Sequence, residues 1–197
     1  TFPNEEILPS AQVLLLYFIY NGTVEITTSQ ASKELGLTPT SISRASRQLE
    51  KLGLIQTMKT GKQKIIHSDS SPKELFERTQ QKLLNPVKKT VYIPKNCVTS
   101  ELLESGYFAL AHYTMINVPQ IKYFATDSIS RWKDVMTNNL LDSENQMAVE
   151  MWRYNPHLLS KEDKVDELSL ALSLRDDADE RVEAAVDEML EKFWGKI

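Results

Sequence analysis

Between residues 10 and 20 the chain is apolar almost without a break, with Pro9-Ser10 ahead of it and Asn21-Gly22 behind it, which brackets a buried helix. Further on, the apolar positions thin out and take on a period. Thr27, followed three residues later by Gln30, forms a capping box for a short helix to Leu35, and Gly36 supplies the left-handed residue that ends it. Thr38 caps the next helix, over 38–52, with Pro39 at its first position, where a missing N–H costs nothing. Along it Ile42, Ala45, Leu49 and Leu52 recur at helical spacing as one stripe, and Gly53 closes it. Residues 55–59 and 62–66 then read as a small hairpin turning at Thr60-Gly61, and Pro72 opens a helix running to about residue 84.

Asn85-Pro86 marks a boundary, so two domains are expected, 1–85 and 86–197. Beyond it, β-branched and aromatic content predicts strands at 90–93, 122–125 and 147–154, with helices at 100–104, 127–136 and 165–174. A last helix over 178–193 carries Val182, Ala185, Val186, Met189 and Phe193 on one side and acids on the other. No internal repeat or low-complexity tract interrupts this order.

Charge changes the picture more than composition does. The 197 residues are 41% hydrophobic and 25% charged, as in an ordinary globular protein. The single cysteine, Cys97, excludes an internal disulfide framework and suits a reducing compartment. The longest apolar run, residues 13–20, falls far short of the roughly 20 residues that span a bilayer. It also lacks the charged start and small-residue cleavage site of a signal peptide. A cytoplasmic location without membrane association is the expectation. The chain opens on Thr1 and not on methionine, which leaves room for residues ahead of it. Net charge is −4. Over 27–64, however, Lys33, Arg44, Arg47, Lys51, Lys59, Lys62 and Lys64 face only Glu34 and Glu50, a local +5. Residues 162–191 hold twelve acids against Lys164, Arg175 and Arg181. A basic head and an acidic tail share one chain, and the tail is expected on a face turned from any polyanion.

Two short helices joined by a tight turn and followed by a hairpin describe a winged helix-turn-helix. The fold expected is therefore α+β and helix-rich, with an N-terminal winged helix-turn-helix and then a second α+β domain. A helix fits the major groove of DNA while the helix before it braces the fit. Packing Ile42, Ala45, Leu49 and Leu52 inward throws Thr40, Ser41, Ser43, Arg44, Arg47 and Gln48 outward: hydroxyls at the helix start, then arginines and an amide able to make paired bonds to bases. The hairpin offers Lys59, Thr60 and Lys62 to a neighbouring phosphate or the minor groove. The run Leu35-Gly-Leu-Thr-Pro-Thr-Ser-Ile-Ser-Arg44, then Leu49-Glu-Lys-Leu-Gly-Leu-Ile55, resembles the DNA-reading core of MarR-type winged-helix regulators. The resemblance implies that Thr38, Thr40, Ser41, Ser43 and Arg44 contact DNA and that Leu49, Leu52 and Leu54 are structural. It covers residues 27–66, about a fifth of the chain. The short wing departs from it, lacking an acidic-then-arginine tip, and so does the second half, which matches none of the family's dimerisation helices.

Plainer readings stand beside these. A winged helix also serves protein binding, and Lys59, Lys62 and Lys64 could merely guard an exposed strand edge. Trp132, Trp152 and Trp194 fit core or interface anchors, or, with Tyr107, Tyr113, Tyr123 and Tyr154, the lining of a ligand pocket. No catalytic signature is present: His67, His112 and His157 lack metal-ligand spacing, Cys97 reads as a lone buried thiol, and no glycine-rich phosphate loop occurs. Asp176-Asp177 reads as a helix cap. No cofactor, metal or enzymatic activity is expected. The partner expected is double-stranded DNA, bound by a homodimer, with Val182, Val186, Met189 and Phe193 assigned to either the interface or the core. The second domain is expected to be regulatory or dimerising, with a small-molecule effector. The alternative is an antitoxin of an abortive-infection toxin–antitoxin system, whose second domain counters a toxin protein.

Overall fold

The computed structural model describes residues 5–22 and 25–197. The chain is mixed α+β and divides into two compact units, Thr1–Leu84 and Asn85–Ile197.

In the first unit, helix α1 (Pro9–Asn21) buries nearly every residue from Ala11 to Ile19 and ends on Gly22 at φ 64°. A three-residue strand, β1 (Glu25–Thr27), leads into α2 (Thr28–Leu35). Thr27 caps α2 by accepting from the Gln30 N–H at 3.1 Å. The Gln30 amide donates to Glu34 at 3.1 Å, so it serves the next turn of the helix. Gly36 at φ 63° makes the turn, and α3 (Pro39–Lys51) follows with Thr38 as its cap. Strands β2 (Gln56–Thr60) and β3 (Gln63–His67) form the hairpin, and β1 joins it to make a sheet in the order β1-β3-β2, all antiparallel. Ile26 lies opposite Ile66, both buried, which ties the strand ahead of α2 to the wing. The turn falls one residue later than the sequence pattern suggests. Thr60 pairs with Gln63, leaving Gly61-Lys62 as the loop. Gly61 alone takes a positive φ, 63°, which a two-residue hairpin loop needs at its first position.

Helix α4 (Pro72–Thr79) begins with a complete capping box: Ser71 accepts from the Glu74 N–H at 3.3 Å and Glu74 accepts from the Ser71 N–H at 3.1 Å. It does not run to residue 84 as expected. Buried Thr79 returns its hydroxyl to the Leu75 carbonyl at 2.8 Å, and a tighter turn over Gln80–Lys82 rotates Leu83 into the core. Gln12, fully buried on α1, then closes the unit. Its amide donates to the Leu84 carbonyl at 2.9 Å and accepts from the Leu84 N–H at 2.6 Å.

The second unit is built on a four-stranded mixed sheet in the order β4-β7-β6-β5. These strands are β4 (Val87–Pro94), β5 (Leu103–Glu104), β6 (Tyr123–Thr126) and β7 (Gln146–Trp152), with β7 antiparallel to β4 and parallel to β6. Val91, Ile93, Leu102, Phe108, Phe124, Ile129, Trp132 and Val149 form its main apolar cluster. Two expected helices fail to form here. Residues 100–104 do not form a helix, because Leu103 and Glu104 pair with β6. Residues 127–136 make only a single tight turn, Ser130–Trp132, since the Trp132 ring is drawn inward and its N–H donates to the Cys97 carbonyl at 3.0 Å. In compensation α5 (Gly106–Tyr113) forms where none was expected. It starts at Gly106, φ 52°, where a Cβ would meet the Tyr123 ring at 3.0 Å. Helices α6 (Glu167–Leu174) and α7 (Glu180–Trp194) complete the unit. Val182, Val186, Met189 and Phe193 are buried within it as α7 packs on α5 and α6, so this stripe is core and not interface. The cap of α7 is Asp179, which accepts from the Arg181 N–H. Asp177, expected to be that cap, instead accepts from the Asp179 N–H at 2.9 Å and from the Tyr107 hydroxyl. No helix among the described residues is long and apolar enough to cross a membrane.

Candidate nucleic-acid interface

The face of interest is set by what α3 buries. Ile42, Ala45 and Leu49 go into the core, and α1 packs along α3 on that side. Thr40, Arg44 and Arg47 are left exposed and Ser41 and Ser43 half-buried. Thr38 is exposed, but its hydroxyl is engaged: it accepts from the Ser41 N–H at 3.1 Å and donates to the Ser41 hydroxyl at 3.0 Å. Gln48 corrects the sequence reading. It is only 6% exposed, and it binds backbone in place of presenting its amide to a partner. Its Oε1 accepts from the Leu8 N–H at 2.7 Å and its Nε2 donates to the Glu6 carbonyl at 3.1 Å, pinning the segment before α1 to α3.

Lys59, Thr60 and Lys62 are exposed at the tip of the β2–β3 hairpin. Lys64, opposite Lys59 in the register, reaches back from β3 to donate to Ser46 of α3 at 3.1 Å. Sequence reasoning counted Lys33 and Lys64 as charge but not as site. Their positions depend on how β3 lies against α2 and α3, which no local pattern states.

The electrostatics of this face are one-sided. Among the described residues Lys33, Arg44, Arg47, Lys59, Lys62 and Lys64 take part in no ion pair; Lys51 does, with Glu5 at 2.7 Å. The two acids of the basic segment are occupied by hydroxyls. Glu50 accepts from Thr57 at 2.7 Å. Glu34 accepts from Tyr17 and from Gln30, and the Tyr17 hydrogen bond holds its carboxyl below the usual range. None of these six cations is in an ion pair, although Lys33 lies near enough to Glu34 to help lower its carboxyl, and such a cluster of positive charge suits a polyanion.

A groove of about 640 Å³ lies between α7 and residues 115–119, and Tyr107 is the one proposed pocket tyrosine along it. Trp132 and Trp152 are buried, Tyr154 bonds Ser169 at 2.7 Å and Tyr113 bonds the Val165 carbonyl at 3.1 Å. The aromatic residues do not converge on one pocket. Cys97 is half-buried rather than buried, against the edge of the apolar cluster. His67, His112 and His157 are spoken for by Asp69, Glu104 and the Glu101 carbonyl respectively. Among the described residues no cluster of His, Cys, Asp and Glu could hold a metal ion. No protein-family model, curated protein or solved structure matches this chain.

Proposed function

We propose that the chain is a sequence-specific DNA-binding transcriptional regulator, a repressor acting in the cytoplasm, that lays α3 in the major groove and the β2–β3 tip against the adjoining backbone. One observation carries this: six cations gathered on α2, α3 and the wing without an ion pair, while both nearby acids are held by hydroxyls. Other cations of this chain, Lys51, Lys73, Arg131 and Lys192 among them, do meet carboxylates. Leaving six unmatched keeps them for phosphates, and the exposed Arg44 and Arg47 supply a donor fork for base edges. The MarR-type core motif favours the same reading. Sequencing the genomic fragments retained by the purified protein tests it: recovery of a recurrent sequence supports the reading, and recovery of none overturns it.

A second reading, a winged-helix antitoxin, draws on the other unit. Glu180, Glu183, Asp187 and Glu191 of α7 form no ion pair among the described residues, and Met115 and Val118 near the groove are 92% and 65% exposed. That surface suits a protein partner better than an enclosed effector. A toxin-like reading frame beside the gene, and co-purification of its product, would favour it.

A further inference from the structure

A cavity of about 410 Å³ opens between α2, α3 and β3 in the first unit. Its polar lining comes from Thr28, Ser29, Ser32, Lys33, Ser43 and Lys64, and no carboxylate lines it. Lys64 is half-buried there and has one partner among the described residues, the neutral Ser46 hydroxyl. An ammonium carries three N–H donors, so two remain. A cation withdrawn from water beside a neutral hydroxyl recovers little of its lost hydration unless an anion completes the site. The hydroxyls divide into two kinds. Ser32 has spent its proton on the Leu37 carbonyl at 2.6 Å, whereas Thr28, Ser29 and Ser43 make no side-chain hydrogen bond to another described residue and are open to donate.

We infer that this cavity is a seat for one phosphate-type oxyanion, held by the ammonium groups of Lys64 and Lys33 and by the hydroxyls of Thr28, Ser29 and Ser43. Lysine acts on phosphate as a compact point charge, and hydroxyls are regular phosphate donors. A tetrahedral anion accepts from several directions at once, which matches donors arriving from two helices and a strand. The phosphate belongs either to the DNA backbone, an arm that rests on the function proposed above, or to a free small oxyanion.

Two measurements on the full chain test this. Inorganic phosphate is titrated against chloride at constant ionic strength while backbone amides are followed by NMR. Saturable shifts around residues 28–33, 43 and 64 are expected, lost in Lys64→Gln, weakened in Lys33→Gln and kept in Arg44→Ala. Duplex binding is then measured across a salt series for parent and variants. If the phosphate is a backbone phosphate, Lys64→Gln weakens binding to all sequences alike and lowers the log–log salt slope by about 1. If phosphate binds but the slope is unchanged, the site stands and its ligand is a free oxyanion. No saturable shift up to about 50 mM phosphate, together with an unchanged slope in folded Lys64→Gln and Lys33→Gln, overturns the site while leaving DNA binding untouched. Should the parent bind no duplex at all, it is the DNA reading that falls, and the phosphate titration alone decides the cavity.

Discussion

Two buried glutamines in the first unit act as substitutes for backbone: Gln12 bonds both polar groups of Leu84, and Gln48 bonds Leu8 and Glu6. Gln48→Leu keeps the volume and removes both bonds, so it should cost about 1–3 kcal/mol in chemical unfolding without removing any contact to DNA. Unchanged stability would show that the segment before α1 is not held through this side chain. Residue 48 was readable in principle. The spacing 45-48-52 is as helical as 45-49-52, and choosing the apolar member at each step pushed the glutamine to the outer face. Glu150 in the second unit is a different case. It is almost wholly buried on central strand β7, accepting from the Trp152 N–H at 3.3 Å, and burial pushes its carboxyl above the usual value of 4.5. As pH rises past 4.5 the unfolded chain releases a proton that the folded one keeps, so Glu150 makes folding less favourable with increasing pH. Glu150→Gln should therefore raise the melting temperature of the second unit near neutral pH, with the gain shrinking to nothing below about pH 4. A gain that persists undiminished in acid would mean that burial of the charge is not its source.

At the level of elements, legibility followed the length of the periodic signal. Helices α1, α2, α3 and α7 were evident from caps and stripes, and the centres of β4, β6 and β7 from their content. Strand β1 was hidden because three residues carry no alternation to detect, and its partner β3 lies far along the chain, Ile26 opposite Ile66. Helix α5 was hidden because its sequence, Gly106–Tyr113, is apolar on nearly every side, so no face stands out. The hairpin is legible in the sequence together with its three tip residues, Lys59, Thr60 and Lys62, and mutation separates its expected role from that of α3. Lys59→Ala with Lys62→Ala should weaken binding to all duplexes alike and make the salt dependence shallower, since both side chains are exposed at the hairpin tip and lysine acts on phosphate without reading sequence. Arg44→Ala should instead cost about 1–3 kcal/mol and also erode the preference for operator over random DNA. If the lysine pair changes neither affinity nor slope, the wing lies off the DNA and α3 reads alone.

For the whole molecule, the division at residues 84 and 85 separates the two charges noted along the sequence, with the basic segment in one unit and the acidic stretch in the other. One reading helix spans only a few base pairs, so specific binding is expected to require a homodimer, with half-sites roughly 10 base pairs apart or a multiple of that. With the stripe of α7 committed to its own core, the pairing surface must lie elsewhere. Light scattering with and without operator should report a dimer in at least one state; a monomer in both at micromolar concentration would exclude two-fold recognition. The paired bonds between Gln12 and Leu84 also fix where the chain leaves its unit. Leu84 is the last residue of its unit, and it is clamped to the first turn of α1, the helix that packs along α3. The point at which the chain leaves this unit is thus tied, through a single side chain, to the helix that packs behind α3.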